Sequence, residues 1–410
     1  MKKIIEPERE IPVVAEVDVV VVGGGPAGLG AAICASRNGA NILLIERYGH
    51  LGGMVSGGLV LLVGPFSDNK NPVIGGIAQE IIQKLEHRGW AEWEKKYPGY
   101  ALVDPEGFKY VANQFLQDSG ANILLHSLAV SAIMEKKTIK GIVLENKTGR
   151  SAILAKVVID TSGDADIAAF SGAQFEKGIH AIGTTLVHRI GGVDLAKTLV
   201  FRDNHQNEWQ NLIKAMNNKA FVHHWHNTTI EGIVWCNGPH FKNLNALDTK
   251  DLTFIEINAR KRIFSAIDFY KQNIPGFEKS FLLETASQLG VRETRRIIGD
   301  YVLNLNDIEQ SRYFKDTIVC GSTEIDPRIR YHIPFRSLLP KNIEGLLVAG
   351  RCISCTHEAL DPVRVIPPCI AMGQAAGNAA WLAVKNQILP RDVNPKDIQL
   401  LLKDQNVILN

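Results

Sequence analysis

The 410-residue chain is 45% hydrophobic and 21% charged, ordinary for a globular enzyme and longer than one hydrophobic core usually serves, so two lobes are expected. Its 45 basic and 43 acidic residues leave a formal charge of +2, which gives no electrostatic case for nucleic acid or an anionic membrane. Six cysteines (Cys34, Cys236, Cys320, Cys352, Cys355, Cys369) are too sparse for a disulfide framework, and no uninterrupted apolar stretch is long enough to span a bilayer. A reduced, soluble, cytoplasmic protein is expected.

The first segment carries Glu6, Glu8, Glu10, Glu16 and Asp18, with no signal-peptide core before the first apolar run. Val17 to Val22 is rich in β-branched residues with little alternation, which predicts a strand buried on both faces. Glycines follow, then an Ala-rich helix over 26–37 ended by Asn38-Gly39, then a second buried strand over 41–45. Residues 49–76 are glycine-rich, 77–87 return to helical periodicity, and 108–120 predict another helix. Short β segments lie between Ile123 and Ile159, with turns at Lys136-Lys137 and Lys147-Thr148-Gly149. From Thr184 to Asp326 the chain grows richer in His, Asn and Trp. Hydrophobic β character returns at 345–350, before a final Ala-rich helix over 367–385. The fold class expected is α/β: a Rossmann-like domain with a parallel sheet, helices and a β-meander, assembled from 1–183 and 327–410. An α+β substrate or cap domain over 184–326 is inserted into it.

Gly23-Gly24-Gly25-Pro26-Ala27-Gly28 fits G-x-G-x-x-G between a strand and a helix. Gly23 permits the tight turn, Gly25 lets the backbone approach a pyrophosphate, and Gly28 lets helix and strand pack closely. The phosphates are expected at the helix N-terminus, where free N–H groups and the dipole favour negative charge. Glu46 ends the second strand, where a carboxylate can accept both ribose hydroxyls.

This unit alone leaves FAD and NAD open, and three further segments favour FAD. Leu51 to Gly58 is a loop poor in side chains, able to pass close to a long cofactor. Val157 to Asp164 is a buried strand ending in small polar residues. The helix opening with Pro367-Pro368 presents an N-terminus suited to negative charge on a reduced flavin. With these segments, together with Val291 to Tyr301, Ala349 to Ser354 and Gly373 to Gly377, the chain resembles the FAD-dependent oxidoreductases of the glutathione-reductase-like flavoprotein superfamily, in particular a poorly characterised bacterial subgroup. The resemblance spans nearly the whole chain.

It implies FAD held by Gly23, Gly25, Pro26, Ala27 and Gly28, by Glu46 and Arg47, and by Gly52, Gly53, Met54, Ser56 and Gly57. Val130, then Thr161, Ser162, Gly163 and Asp164, then Gly350, Arg351, Val365, Ile366 and Pro367 complete the expected contacts. A second G-x-G-x-x-G is absent, so no separate NADPH domain is expected. The function expected is hydride transfer between a small organic substrate and flavin N5, with an unidentified electron donor or acceptor as partner.

For catalysis, His357 is a candidate acid or base, and Arg364 a candidate clamp for a carboxylate or for negative flavin charge. Arg292 and Arg295, in the cluster Arg292-Glu293-Thr294-Arg295-Arg296, are candidate contacts to an acidic substrate. Each has a plainer role as a capping or internally paired charge. Cys352 and Cys355 have C-x-x-C spacing, which keeps open a flavin-linked dithiol/disulfide oxidoreductase, and a non-catalytic flavin redox sensor is a further alternative. His223-His224-Trp225-His226 has no companion ligands at a metal spacing, so no metal is expected. One of these histidines can instead touch substrate.

Overall fold

The computed structural model describes residues 3–178, 183–324 and 326–410. The valine run becomes β1 (Val13–Val22), whose residues 19–21 are wholly buried. It is followed by α1 (Pro26–Arg37) and β2 (Ile42–Ile45). Next come α2 (Gly76–His87), α3 (Pro105–Ser119) and β3 (Asn122–Leu124). A meander of β4 (Leu128–Glu135), β5 (Thr138–Asn146) and β6 (Gly149–Asp160) completes this half, with its turns at the two expected Lys-rich points.

The second lobe contains β7 (His188–Gly191), β8 (Ile233–Cys236), the 25-residue helix α4 (Thr249–Asn273) and β9 (Phe281–Thr285). Strands β8, β7 and β9 lie side by side and antiparallel, and His226–Asn227 extends the β8 edge. Ile190, Trp235, Ile255, Ile263, Tyr270 and Phe277 build a core of its own, which Leu59, Leu61 and Leu102 of the first lobe also enter. Leu303, Ile318, Val319, Tyr331 and Ile333 join the core of the first lobe instead. The hairpin Thr317–Ser322 with Arg330–Pro334 therefore runs across the expected limit at 326/327. Its fully buried Ile318 and Val319 find their apolar partners in the first lobe.

The chain then returns as β10 (Leu346–Val348), α5 (His357–Val363) and α6 (Ile366–Asn386). The main sheet has the order β3-β2-β1-β6-β5-β4, with β10 also paired to β6. β6 changes partner along its length: residues 149–154 run antiparallel to β5, and residues 158–160 run parallel to β10. Its other edge stays on β1 from Ala152 to Asp160, apart from one bulge.

The register brings Val22 level with Ile45 and with Asp160, and Asp160 level with Val348. Four carboxyl ends of parallel strands thus finish in one row, where open α/β sheets bind their ligands. Above this row α1 and α6 pack backbone to backbone and run the same way. A Cβ on Gly373 would lie 1.9 Å from the Ala27 carbonyl oxygen, one on Gly377 2.5 Å from that of Ala31, and one on Gly30 2.1 Å from that of Ile370. No other residue fits these three positions without moving a helix.

Candidate functional site

A cavity of about 520 Å³ opens at the row of strand ends and continues beneath the second lobe. Its floor is the loop after β1. Gly23 has φ +109°, a conformation that L side chains rarely adopt, and a Cβ there would sit 2.5 Å from the Thr161 carbonyl oxygen. A Cβ on Gly28 would come within 1.8 Å of the Gly23 carbonyl oxygen. At Gly25 the nearest atom to an added Cβ is 3.9 Å away, so that glycine leaves open space above the N-terminus of α1. Pro26 opens the helix and no side chain caps it, so its N–H groups and dipole face the cavity for a phosphate.

Two acids and a hydroxyl shape the rest of the floor. Glu46, nearly buried, accepts the Gly24 N–H at 2.6 Å and the Tyr48 N–H at 2.9 Å, which fixes its carboxylate at the cavity wall with lone pairs left for ribose hydroxyls. Thr161 donates its hydroxyl to the Val22 and Gly23 carbonyls, joining β6 to the glycine loop. Asp164 accepts Arg351 at 2.7 Å and the Thr294 hydroxyl at 2.7 Å. Burial works against its ionisation, but Arg351 and Thr294 outweigh that and hold the carboxyl below its ordinary range.

The glycine loop after Glu46 lies against this floor: the Gly52 N–H donates to the Gly24 carbonyl at 2.8 Å, and a Cβ on Gly53 would be 2.8 Å from the Gly25 Cα. Opposite, Val365 and Ile366 bring the start of α6 to the same cavity. These residues fit FAD: an uncapped helix end with a side-chain-free approach for phosphates, a fixed carboxylate for a ribose, and a second helix N-terminus facing the same space.

Of the expected cofactor residues, Gly23, Gly25, Pro26, Ala27, Glu46, Arg47, Gly53, Met54, Thr161, Ser162, Gly163, Asp164, Gly350, Arg351, Val365 and Ile366 line the cavity. Six others are not among the lining residues. Gly28 packs α1 onto the glycine turn, and Gly52 lies against Phe108 and Ser56. Ser56 turns inward, donating to the Leu51 carbonyl at 2.5 Å. Gly57 faces His50 and Gln288, and its carbonyl accepts the Gln288 N–H. Val130 falls at a register shift between Ala129 and Ser131, so Leu128 and Ala129 take the cavity wall instead. Pro367 is buried within the first turn of α6.

The expected catalytic residues divide in two. Arg292 and Arg364 line the cavity. His357 and Arg295 do not, and the reason lies in the charge cluster around Glu293. Thr356 caps α5, and His357 as its first residue turns its Nδ1 to Glu293 at 2.7 Å. The other Glu293 oxygen accepts Arg296 at 2.9 Å, inside a buried pair. Arg295 donates to the Asp164 carbonyl at 2.8 Å and to the Asp166 carboxylate at 2.9 Å, so it braces the nucleotide turn.

Cys352 and Cys355 are both buried free thiols outside the cavity lining. Burial pushes Cys355 up to about 12 and raises Cys352 well above its ordinary range, which favours the protonated thiol at both. No group of three or more His, Cys, Asp or Glu able to hold a metal occurs among the described residues. Of the histidine run, His226 reaches the cavity, its ring stacked on Trp235 at 4.8 Å between centroids.

Sequence reasoning missed the roof. Tyr100, Thr185, Trp235, Asn237, Gln288 and Leu289 reach the cavity from loops and short strands of no recognisable motif. Only the excess of His, Asn and Trp in that stretch hinted at a polar, aromatic wall.

Fold and cavity together define a Rossmann-type dinucleotide-binding enzyme. More narrowly, the chain belongs to the FAD dependent oxidoreductase family, whose model it matches over residues 18–402, and FAD is its cofactor. It is 30% identical to the thiamine thiazole synthase of Sulfolobus acidocaldarius over 166 residues, covering 38% of this chain and 58% of that protein. With digeranylgeranylglycerophospholipid reductase 1 of Methanopyrus kandleri it shares 30% identity over 155 residues, 36% of this chain and 40% of that one. The chain thus spans roughly half the length of these curated relatives. Among solved structures, p-nitrophenol 4-monooxygenase PnpA of Pseudomonas putida superposes with a TM-score of 0.52 at 13% identity, covering 95% of this chain and 84% of that one, a likeness of fold. No helix among the described residues is long and apolar enough to cross a membrane.

Proposed function

We propose that this FAD-dependent oxidoreductase, a glutathione-reductase-like flavoprotein, transfers a hydride between a small organic substrate and flavin N5. The observation that carries this reading is one shared cavity, lined both by the glycine loop, Glu46 and Asp164 and by Trp235, Asn237 and Arg292 of the 184–326 cap. FAD, when bound, supplies the two-electron chemistry. This chain's residues orient and enclose.

Gly25, Ala27 and Glu46 hold the nucleotide. Val365 and Ile366, at the start of α6, offer positive helix-end charge to the redox end of the cofactor. The roof residues Trp235, Leu289 and Val291 keep water away from the reacting atoms and leave room for substrate beside Arg292 and Arg364. With His357 engaged by Glu293, the cavity offers arginines rather than an imidazole from α5 for charge control.

Cofactor extraction followed by anaerobic mixing tests this. The purified protein is expected to release FAD. Some member of a panel of small acids, alcohols and amines, or a pyridine nucleotide as donor, is expected to bleach its absorbance near ~450 nm. FAD that no reductant or acceptor turns over would instead identify a flavin-binding sensor.

A further inference from the structure

Arg292 is charged, half-buried and without an anionic partner among the described residues. Its Nη1 donates to the Gly183 carbonyl at 3.3 Å and approaches His240 Nδ1 at 3.2 Å, and its Nη2 donates to Asn237 Oδ1 at 3.2 Å. All three partners are neutral. His240 keeps an exposed edge, but partial desolvation of its ring and the adjacent Arg292 hold the imidazole down at about 4, so that ring accepts a hydrogen bond and adds no charge. Arg292 is in turn lowered to about 10, first by burial and then by the neighbouring Arg364, with Asp361 opposing. Arg364 is paired with Asp361, and its Nε has no partner among the described residues.

Arg292, Arg364 and Asp361 all line the cavity, near enough for Arg364 and Asp361 to act on Arg292 electrostatically. Asp361 is already paired with Arg364, so Arg292 is left without a carboxylate of its own among the described residues, while Glu324 also lines the cavity. A charge that has lost part of its water gains from an ionic partner. Arg292 keeps Nε, and part of Nη2, without a hydrogen-bond partner among the described residues, and a guanidinium edge matches a planar oxyanion.

We propose that the substrate carries a single carboxylate, bound between Arg292 and Arg364 with Asn237 holding the Arg292 fork in place. Of the two guanidiniums only Arg292 lacks a carboxylate partner among the described residues, and one guanidinium edge matches one carboxylate. The proposal deepens the reading above and rests on it only in taking the cap end of the cavity as the substrate position.

The test uses the FAD-loaded protein and needs no turnover. Acetate, propionate and benzoate are titrated against benzamide and inorganic phosphate, following the visible spectrum of bound flavin and the melting temperature at about pH 8, where carboxylates and Arg292 are both ionised. At least one carboxylate is expected to bind and benzamide to bind at least tenfold more weakly, at about 1.4 kcal/mol per factor of ten. Arg292→Gln is expected to weaken carboxylate binding at least about tenfold with FAD content unchanged, and Arg292→Lys to restore part of it. If Arg292→Gln does not fold, Arg364→Gln and the carboxylate-against-amide comparison in the natural protein carry the same test.

Equal binding of benzoate and benzamide, phosphate binding in preference to every carboxylate, or no carboxylate binding up to roughly 50 mM would each overturn the proposal. Carboxylate binding by a protein whose FAD no acid, alcohol, amine or pyridine nucleotide of the panel above reduces supports the anion site and removes the hydride-transfer reading. Reduction by neutral substrates alone does the reverse.

Discussion

Gly25 and Gly28 are three residues apart in one motif and have opposite reasons for being glycine. At Gly28 a methyl group would overlap a backbone carbonyl. At Gly25 the backbone (φ −75°, ψ −171°) suits any residue, and a methyl would project into the cavity. Gly25→Ala is therefore expected to fold with a melting temperature near that of the FAD-free natural protein, while losing at least about tenfold in FAD affinity. Gly28→Ala is expected to accumulate as unfolded or aggregated protein, because the helix must move off the glycine turn, at a cost of several kcal/mol. Fluorescence titration with FAD and thermal melts of both variants would check this, and a stable Gly28→Ala that binds FAD normally contradicts it. The glycine motif was legible because backbone proximity to a phosphate restricts residue type so sharply. Arg292, Glu293, Arg295 and Arg296 were legible only as a cluster. Which of them faces the cavity depends on a strand pairing near Glu176 and on the Asp164 turn, neither of which has a local signature.

Among the elements, those of the main sheet follow from local pattern: the strand before the glycines, the helix after them and the final Ala-rich helix all lie within a few residues of expectation. The second lobe does not. Its 25-residue helix has an apolar stripe broken by exposed Phe254, Ile257 and Phe264, so periodicity alone is a weak guide to its buried face. In the same lobe, His188 on β7 is buried, with Nδ1 at 3.0 Å from the Gly238 carbonyl and Nε2 without a partner among the described residues. Burial lowers its pKa to about 4. Between that value and the ordinary 6.5 the unfolded chain binds a proton that the folded one does not. Stability is therefore complete above about pH 6.5 and declines as pH falls toward 4, by on the order of 3 kcal/mol from this group. Denaturant melts of the natural protein and His188→Gln at pH 7 and pH 4.5 should show the gap between them shift by roughly that amount in favour of the variant at low pH. A gap independent of pH would remove His188 as the titrating group.

For the whole molecule, the cavity exists because two cores meet: Leu59, Leu61 and Leu102 leave the first lobe to pack into the core of the second. No single stretch of sequence announces such a meeting, which is why the floor of the site could be read in advance and its roof could not. The closely packed pair α1 and α6 has a consequence for ligand choice. Gly30, Gly373 and Gly377 each face a carbonyl across the contact, so the helices cannot slide along one another, and their N-terminal ends stay a set distance apart at the cavity. Together they act as a gauge of molecular length. A ligand must be long enough to satisfy both ends at once, and a shorter one gains from only one of them. Riboflavin, which has the flavin for the α6 end but no phosphate for the α1 end, is accordingly expected to bind the FAD-stripped protein at least about a hundredfold more weakly than FMN, which carries both. Competition of the two flavins for that protein would measure it, and equal affinity would mean that the helix pair does not select by length.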